Sequence, residues 1–251
     1  MALGLRQRLE QNLLHLLRRP APVSALPAEP ASGLLGSLAC LVAVESDFPD
    51  LPVPENWTHD PATGEVLPVG VQAELPPHRY RSARIAARHG WFAVLARRAA
   101  LGDRAAGILA MEAMEGWLRQ DLPGQGIAWA HASDLSVRLC HWHAGLAWLR
   151  DDAPAALREA MAGSALWHLR HLHLRRPLGP ADGLRRVLHA VGLVVGGFTF
   201  PGLPEARGWR SEGLSALRWE LGECFFPDGV GATGPLPGRP RRCGRRPWRG
   251  R

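Results

Sequence analysis

From Arg79 onward, apolar positions recur every three or four residues, the spacing of one face of an α-helix. A first helix is predicted over about 80–100, with Ile85, Trp91, Phe92 and Leu95 on its apolar side. A second follows Gly102, with Asp103 as N-cap, and runs to Gln120 through Ile108, Leu109, Met114, Trp117 and Leu118. A third lies within Gly126–Leu149, capped by Ser133 or Asp134 and lined on one flank by Leu135, Leu139, Leu146 and Leu149. A fourth runs from about Ala155 to Arg175. Two more cover about 183–198 and, after the break "FPGLP", Pro204 to Phe225, with Pro204 in the first helical turn. Connections are short, so neighbours form antiparallel hairpins. Several helices carry aromatic and small residues on more than one face, which suits packing on both sides. The expected class is all-α, antiparallel helical hairpins as in an incomplete (α/α) toroid or a solenoid, with no internal repeat.

Residues 1–78 read differently. The start is an amphipathic helix over 1–19, expected to dock rather than to lie on a membrane, and 33–44 is a strand or packed apolar segment. That run is far short of the roughly 20 apolar residues a membrane span needs. Prolines in 20–32 and 46–79 forbid a continuous helix and predict an irregular wrap. Residues 231–251 have no apolar period and are expected to be a disordered Arg/Pro/Gly tail, which leaves 79–230 as the helical domain.

Composition alters the reading of charge. The chain has 251 residues, enough for one large domain or two small ones, and a net charge of +7. Seven arginines and no acid lie in 231–251; without them 23 basic residues face 23 acidic ones. The folded part is charge-balanced, so no specific nucleic-acid partner is expected. Every basic side chain is Arg and none is Lys, a bias typical of GC-rich coding rather than of nucleic-acid recognition. Cys40, Cys140, Cys224 and Cys243 are far apart, which argues against a disulfide framework or zinc site. Cys140 and Cys224 read as small core residues. No secretory signal is evident, which makes the cytoplasm the default location.

The candidate chemistry lies in "GIAWAHASDLSVRLCHWHAGLAWL". Asp134, Arg138, His141 and Gly145 share one helix face, Trp142 flanks it, and Trp129 and His131 lie in the preceding loop. An arginine held by an aspartate one turn away offers a fixed fork for a carboxylate or sulfate. A tryptophan beside it offers a flat face to a sugar ring, and Gly145 would let something approach. The alternative is an intrahelical ion pair with histidines satisfied at helix contacts. His168, His171 and His173 form a second group, but Arg170, Arg175 and Arg176 crowd it and disfavour a cation. No metal or cofactor is expected. "GLVVGG" at 192–197 lies inside a helical run and reads as helix packing, not a phosphate loop.

That stretch, followed by "RRVLHAVGLVVGGFTFPGLPEARGWRSEGLSALRWEL" and "FFPDGVG", resembles the heparinase II/III-like polysaccharide lyases. The likeness is to their N-terminal α-helical toroid and covers roughly 120–230. Trp129, Asp134 (where the family usually has Glu), Arg138 and Trp142 fall on the family pattern. The resemblance implies β-elimination of a uronic-acid-containing glycan, an anionic polysaccharide partner, a monomer and a periplasmic location. A neutralising group must take the uronate charge while a base removes the adjacent proton. The family's Asn-Asn-His positions map onto Gly183-Leu184-Arg185, so Arg185 or Arg186 would stand in for the neutralising Asn and His141 for the base. Trp129, His131, Asp134, Arg138, Trp142 and Arg186 are the candidate substrate-binding residues. The family's catalytic Tyr, later toroid helices and β-sandwich have no counterpart here, and Tyr80 is out of place. The chain therefore reads as a truncated, weakly active or inactive lyase with a tail suggestive of a shifted reading frame. The alternative is a non-catalytic helical module that binds anionic glycans.

Overall fold

The computed structural model describes residues 53–68, 80–175 and 183–224. They form seven α-helices: α1 Arg81–Ala87, α2 Gly90–Ala100, α3 Arg104–Gln120, α4 Ala132–Leu149, α5 Ala155–Leu174, α6 Gly183–Thr199 and α7 Ala206–Cys224. Two 3₁₀ turns, Ile127–Trp129 and Arg150–Asp152, flank α4. The described residues contain no strand, and one antiparallel bridge joins His59 to Val66. The protein is thus all-α in its described part. The predicted elements at 1–19 and 33–44, the tail at 231–251, Cys40, Cys243, Arg176 and the Cys224 side chain lie outside the described residues.

Helix α4 occupies the middle of the assembly, packed against α2, α5 and α6; α3 adds to α2 and α5, and α7 to α6. Two apolar clusters meet across it. One joins Phe92, Met114, Trp117, Leu135, Leu139, Met161 and Leu169. The other joins Val137 and Cys140 to Val191, Val194, Leu214 and Leu217. Twelve of the eighteen residues of α4 are buried, so its polar side chains have no outer face to occupy and are carried inside. Burial also pushes the Cys140 thiol up to about 12, which leaves it an inert core residue.

Glycines set the spacing of the central helices. Gly192 faces Ser136 and Leu172, and Gly196 faces Leu139 and Leu169. A side chain at either would push α6 away from α4, so "GLVVGG" is a helix-packing segment. Gly145 likewise faces the ring of Phe92, itself fully buried. The group that approaches Gly145 is therefore a core phenylalanine, not a ligand.

Several boundaries differ from the sequence pattern. Asp103 does cap α3, accepting from the Ala106 amide at 3.0 Å. The helix expected over 80–100 is broken into α1 and α2, because His89 takes a left-handed conformation (φ 60°) that no helix continues through. The turn carries its imidazole into the aromatic core. Neither Ser133 nor Asp134 caps α4; His131 occupies that position in extended conformation without a side-chain bond, and the Asp134 carboxylate is engaged by two arginines. Ile108 and Leu109 are about half exposed, since the inner face of α3 is built from Ala106, Ala110, Met114 and Trp117. Pro204 lies in the turn before α7, which starts at Ala206.

Gly145→Ala should cost about 1–3 kcal/mol, because its methyl falls inside the Phe92 ring in a core with no slack. Gly163→Ala, on an open stretch of α5, should stabilise by about 0.5–1 kcal/mol. Urea unfolding of the two variants measures the contrast.

Candidate functional site: a buried arginine beneath a basic rim

Helix α1 ends after two turns, which leaves the carbonyls of Ala87 and Arg88 beyond its own hydrogen-bond ladder. Side chains of α4 supply them. Arg138 Nε donates to the Ala87 carbonyl, and His141 Nδ1 meets the Arg88 carbonyl at 2.7 Å. The Trp91 indole donates to the Ala86 carbonyl at 3.1 Å. A cation at this helix end also complements the local dipole. The other two arms of Arg138 reach different elements: Nη2 donates to the Ala128 carbonyl and Nη1 meets His168 Nε2, both at 2.7 Å. Its guanidinium lies 5.0 Å from the centroid of the Trp117 ring.

These bonds fix proton positions. His168 Nδ1 faces the Ser164 carbonyl at 2.8 Å and must donate, so Nε2 accepts from Arg138 and the ring is neutral. His89 Nδ1 accepts from the Trp142 indole at 2.8 Å, which places its proton on Nε2. Burial, with the Arg138 charge, holds both imidazoles well below the ordinary histidine range. Trp129 donates to Asp121 at 2.7 Å. Burial raises the Asp121 carboxyl pKa, with Arg138 and the Trp129 bond opposing it. Burial brings the Arg138 guanidinium down to about 10, with Asp121 and Asp134 opposing, so it stays charged at neutral pH.

The expected stripe therefore divides into two layers. Trp129, Arg138 and Trp142 are 1 %, 0 % and 0 % exposed and form framework, not a sugar-binding wall. His141 is buried and bonded to backbone, so it does not face a polymer. The Asp134–Arg138 pair does not form. Asp134, buried itself, accepts instead from Arg84 at 3.0 Å and Arg88 at 2.8 Å, because α1 crosses nearer to its carboxylate than the next turn of its own helix. Those two arginines keep side-chain exposures of 18 % and 17 %.

Above this pair lies a rim. His131 is partly exposed, and its pKa is lowered by burial first and then by Arg84, Arg185 and Arg88, with Asp134 opposing. Arg185, in the first turn of α6, is exposed. Arg186 turns away to Glu220 on α7 at 2.8 Å. Arg84 and Arg88 thus hold the Asp134 carboxylate, and together with Arg185 they act on the His131 imidazole where α1, α4 and α6 meet. Sequence reasoning named Arg185 and His131 but missed Arg84 and Arg88. Their signal was the four-residue spacing on one short helix.

The second histidine group is structural. His168 belongs to the Arg138 network, His173 pairs with Glu212 at 2.8 Å, and His171 packs 5.6 Å from Trp129. Among the described residues no group of His, Cys, Asp and Glu is arranged to hold a metal ion. None of the described helices is long and apolar enough to cross a membrane. No protein-family model, curated protein or solved structure matches the chain.

Two outcomes follow from the buried layer. Arg138→Ala leaves two carbonyls and a histidine nitrogen without partners and should cost roughly 3–5 kcal/mol in urea unfolding. Arg138→Lys, which reaches too few of them, should recover little of that loss. The second outcome concerns pH. Burial drives half-buried His143, bonded to Thr199 at 2.9 Å, from 6.5 down to about 4. The unfolded chain then binds the extra proton first, so this stability is complete above about pH 6.5 and drains as pH falls toward 4. The slope is about 1.4 kcal/mol per pH unit for each such imidazole. Thermal unfolding of His143→Gln across this range should depend less steeply on pH than that of the parent; parallel profiles would exclude the assignment.

Proposed function

We propose that this chain is a heparinase II/III-like protein, a polysaccharide lyase acting on a uronic-acid-containing glycan, with its helices forming part of an (α/α) toroid. One observation carries the reading beyond the motif resemblance. Asp134, itself shielded from water, orients Arg84 and Arg88, and exposed Arg185 and neutral His131 complete a positive rim around them. A rim of forks anchored from beneath suits a planar carboxylate or a sulfate better than loose surface charge does.

The chemistry assigns roles to the rim. A uronate carboxylate held by Arg185 with Arg84 or Arg88 makes the adjacent C–H more acidic by stabilising the carbanion-like charge. His131, neutral at pH 7, takes that proton. The electron pair forms the ring double bond as the glycosidic C–O bond breaks, and the imidazolium returns the proton to the leaving oxygen. His131 replaces His141 as the proposed base, since His141 lies buried against the Arg88 carbonyl. A second reading, a non-catalytic module for anionic glycans, draws on Tyr80. Its hydroxyl is committed to Glu65 at 2.9 Å, so the rim has no phenol for proton transfer.

Heparin, heparan sulfate, alginate and hyaluronan, each incubated with the protein, should separate these readings through the ultraviolet absorbance of unsaturated uronide. A lyase gives an increase with at least one polymer, reduced about a hundredfold in Arg185→Ala, whose exposed side chain is not needed for folding. No increase, with heparin affinity that falls in Arg185→Ala and with added salt, supports the binding module. Neither product nor Arg185-dependent binding would overturn both.

A further inference from the structure

A cavity of about 100 Å³ opens on the far side of the Arg138 network, between the segment 53–68, the inner face of α1 and the end of α3. Its apolar surface comes from Trp57, Trp117 and Pro54, and its polar surface includes Gln120, Asp121 and His59. Among the described residues that line it there is no arginine. Two of the polar groups are half used. Gln120 Oε1 accepts from the Trp57 amide at 3.0 Å, which leaves its NH₂ as a donor. Asp121 Oδ1 accepts from the Trp129 indole at 2.7 Å, which leaves Oδ2 as an acceptor.

The flat indole of Trp57 beside a fixed carboxylate and amide matches the C–H face and the hydroxyls of a pyranose. Charge narrows the class. Arg138 balances Asp121 from behind the wall, so an anion finds no surplus positive charge beside that carboxylate. A cation would find the Asp121 charge already balanced by Arg138 behind the wall. A neutral polyhydroxyl ring meets neither cost. We infer that this cavity is a binding site for one neutral hexopyranose unit, lodged against Trp57 and hydrogen-bonded by Asp121 and Gln120. It is separate from the basic rim, uses none of the rim residues, and stands whether or not the rim takes a uronate.

Segment 53–68 forms one wall, and its attachment explains why the site is ordered. Asp60, buried, accepts from the Ser82 hydroxyl and the Ala62, Thr63 and Ala83 amides, tying the turn to α1. Trp57 is meanwhile pinned to the end of α3 through its amide and packs 5.7 Å from Trp91.

Ligand-observed saturation-transfer NMR with D-glucose, D-galactose, D-mannose and N-acetyl-D-glucosamine tests this on the full chain. At least one should receive saturation at its ring C–H protons. The signal should vanish in Trp57→Ala, whose helical circular dichroism, retained at the assay temperature, shows that the helices persist. Glucuronate should bind about tenfold more weakly than glucose, and Asp121→Asn should close that gap while keeping an acceptor for Trp129. Transfer to none of the four sugars, equal transfer in Trp57→Ala, or glucuronate matching glucose in the parent would each overturn the assignment. Loss of lyase or heparin-binding behaviour in Arg185→Ala with sugar transfer intact would separate failure of the rim from failure of this cavity.

Discussion

A guanidinium shut away from water must find its hydrogen-bond partners inside the protein, and Arg138 finds them on three separate elements. The end of α1, the 3₁₀ turn before α4 and the middle of α5 each give it one acceptor. Those acceptors would otherwise be unmet: a terminal helix carbonyl, a loop carbonyl and the bare nitrogen of a buried imidazole. Cation and acceptors thus hold one another in place, and each is costly without the others. The break at His89 is part of the same arrangement, because it turns the α1 carbonyls toward α4 and sends its own ring among Trp57, Trp91, Trp117 and Trp142.

This framework separates the two surfaces on which function is proposed. On one side, Asp134 is released from its neighbour in sequence and spends both oxygens on Arg84 and on Arg88 at the end of α1. On the other, Asp121 reaches from the Arg138 layer into a cavity with no arginine among its described lining residues. The electrostatics differ because the same buried cation is screened differently. Toward the cavity Asp121 offsets it, whereas toward the rim Asp134 already faces two further guanidiniums.

Much of the helical order was legible in the chain. The spans of α3, α5 and α6, the Asp103 cap and the packing role of Gly192 and Gly196 follow from local rules and were read from the sequence. The site was legible by composition more than by role. Residues as polar as Asp134, Arg138 and His141 on one helix face normally mark a surface, and here α4 is covered on several sides at once. Coverage depends on where α1, α5 and α6 come to lie, which no spacing within α4 encodes. The bond from Asp134 to Arg84 and Arg88 spans about fifty residues of chain and competes with an equally plausible partner one turn away. The halt of the first helix at His89 was invisible for a similar reason. Its left-handed turn costs energy locally and is recovered only by the aromatic cage that the rest of the fold builds.

The central claim is that Arg138 is an interior cation holding α1, α4 and α5 together. The most direct measurement is the solvent exchange of arginine side-chain Nε–H groups, followed by NMR on protein labelled with ¹⁵N-arginine. The account predicts a strongly protected Nε–H resonance, assignable by its loss in Arg138→Lys, that exchanges only with global unfolding. Exchange of that proton at the rate of an exposed arginine would place Arg138 in water and contradict the account.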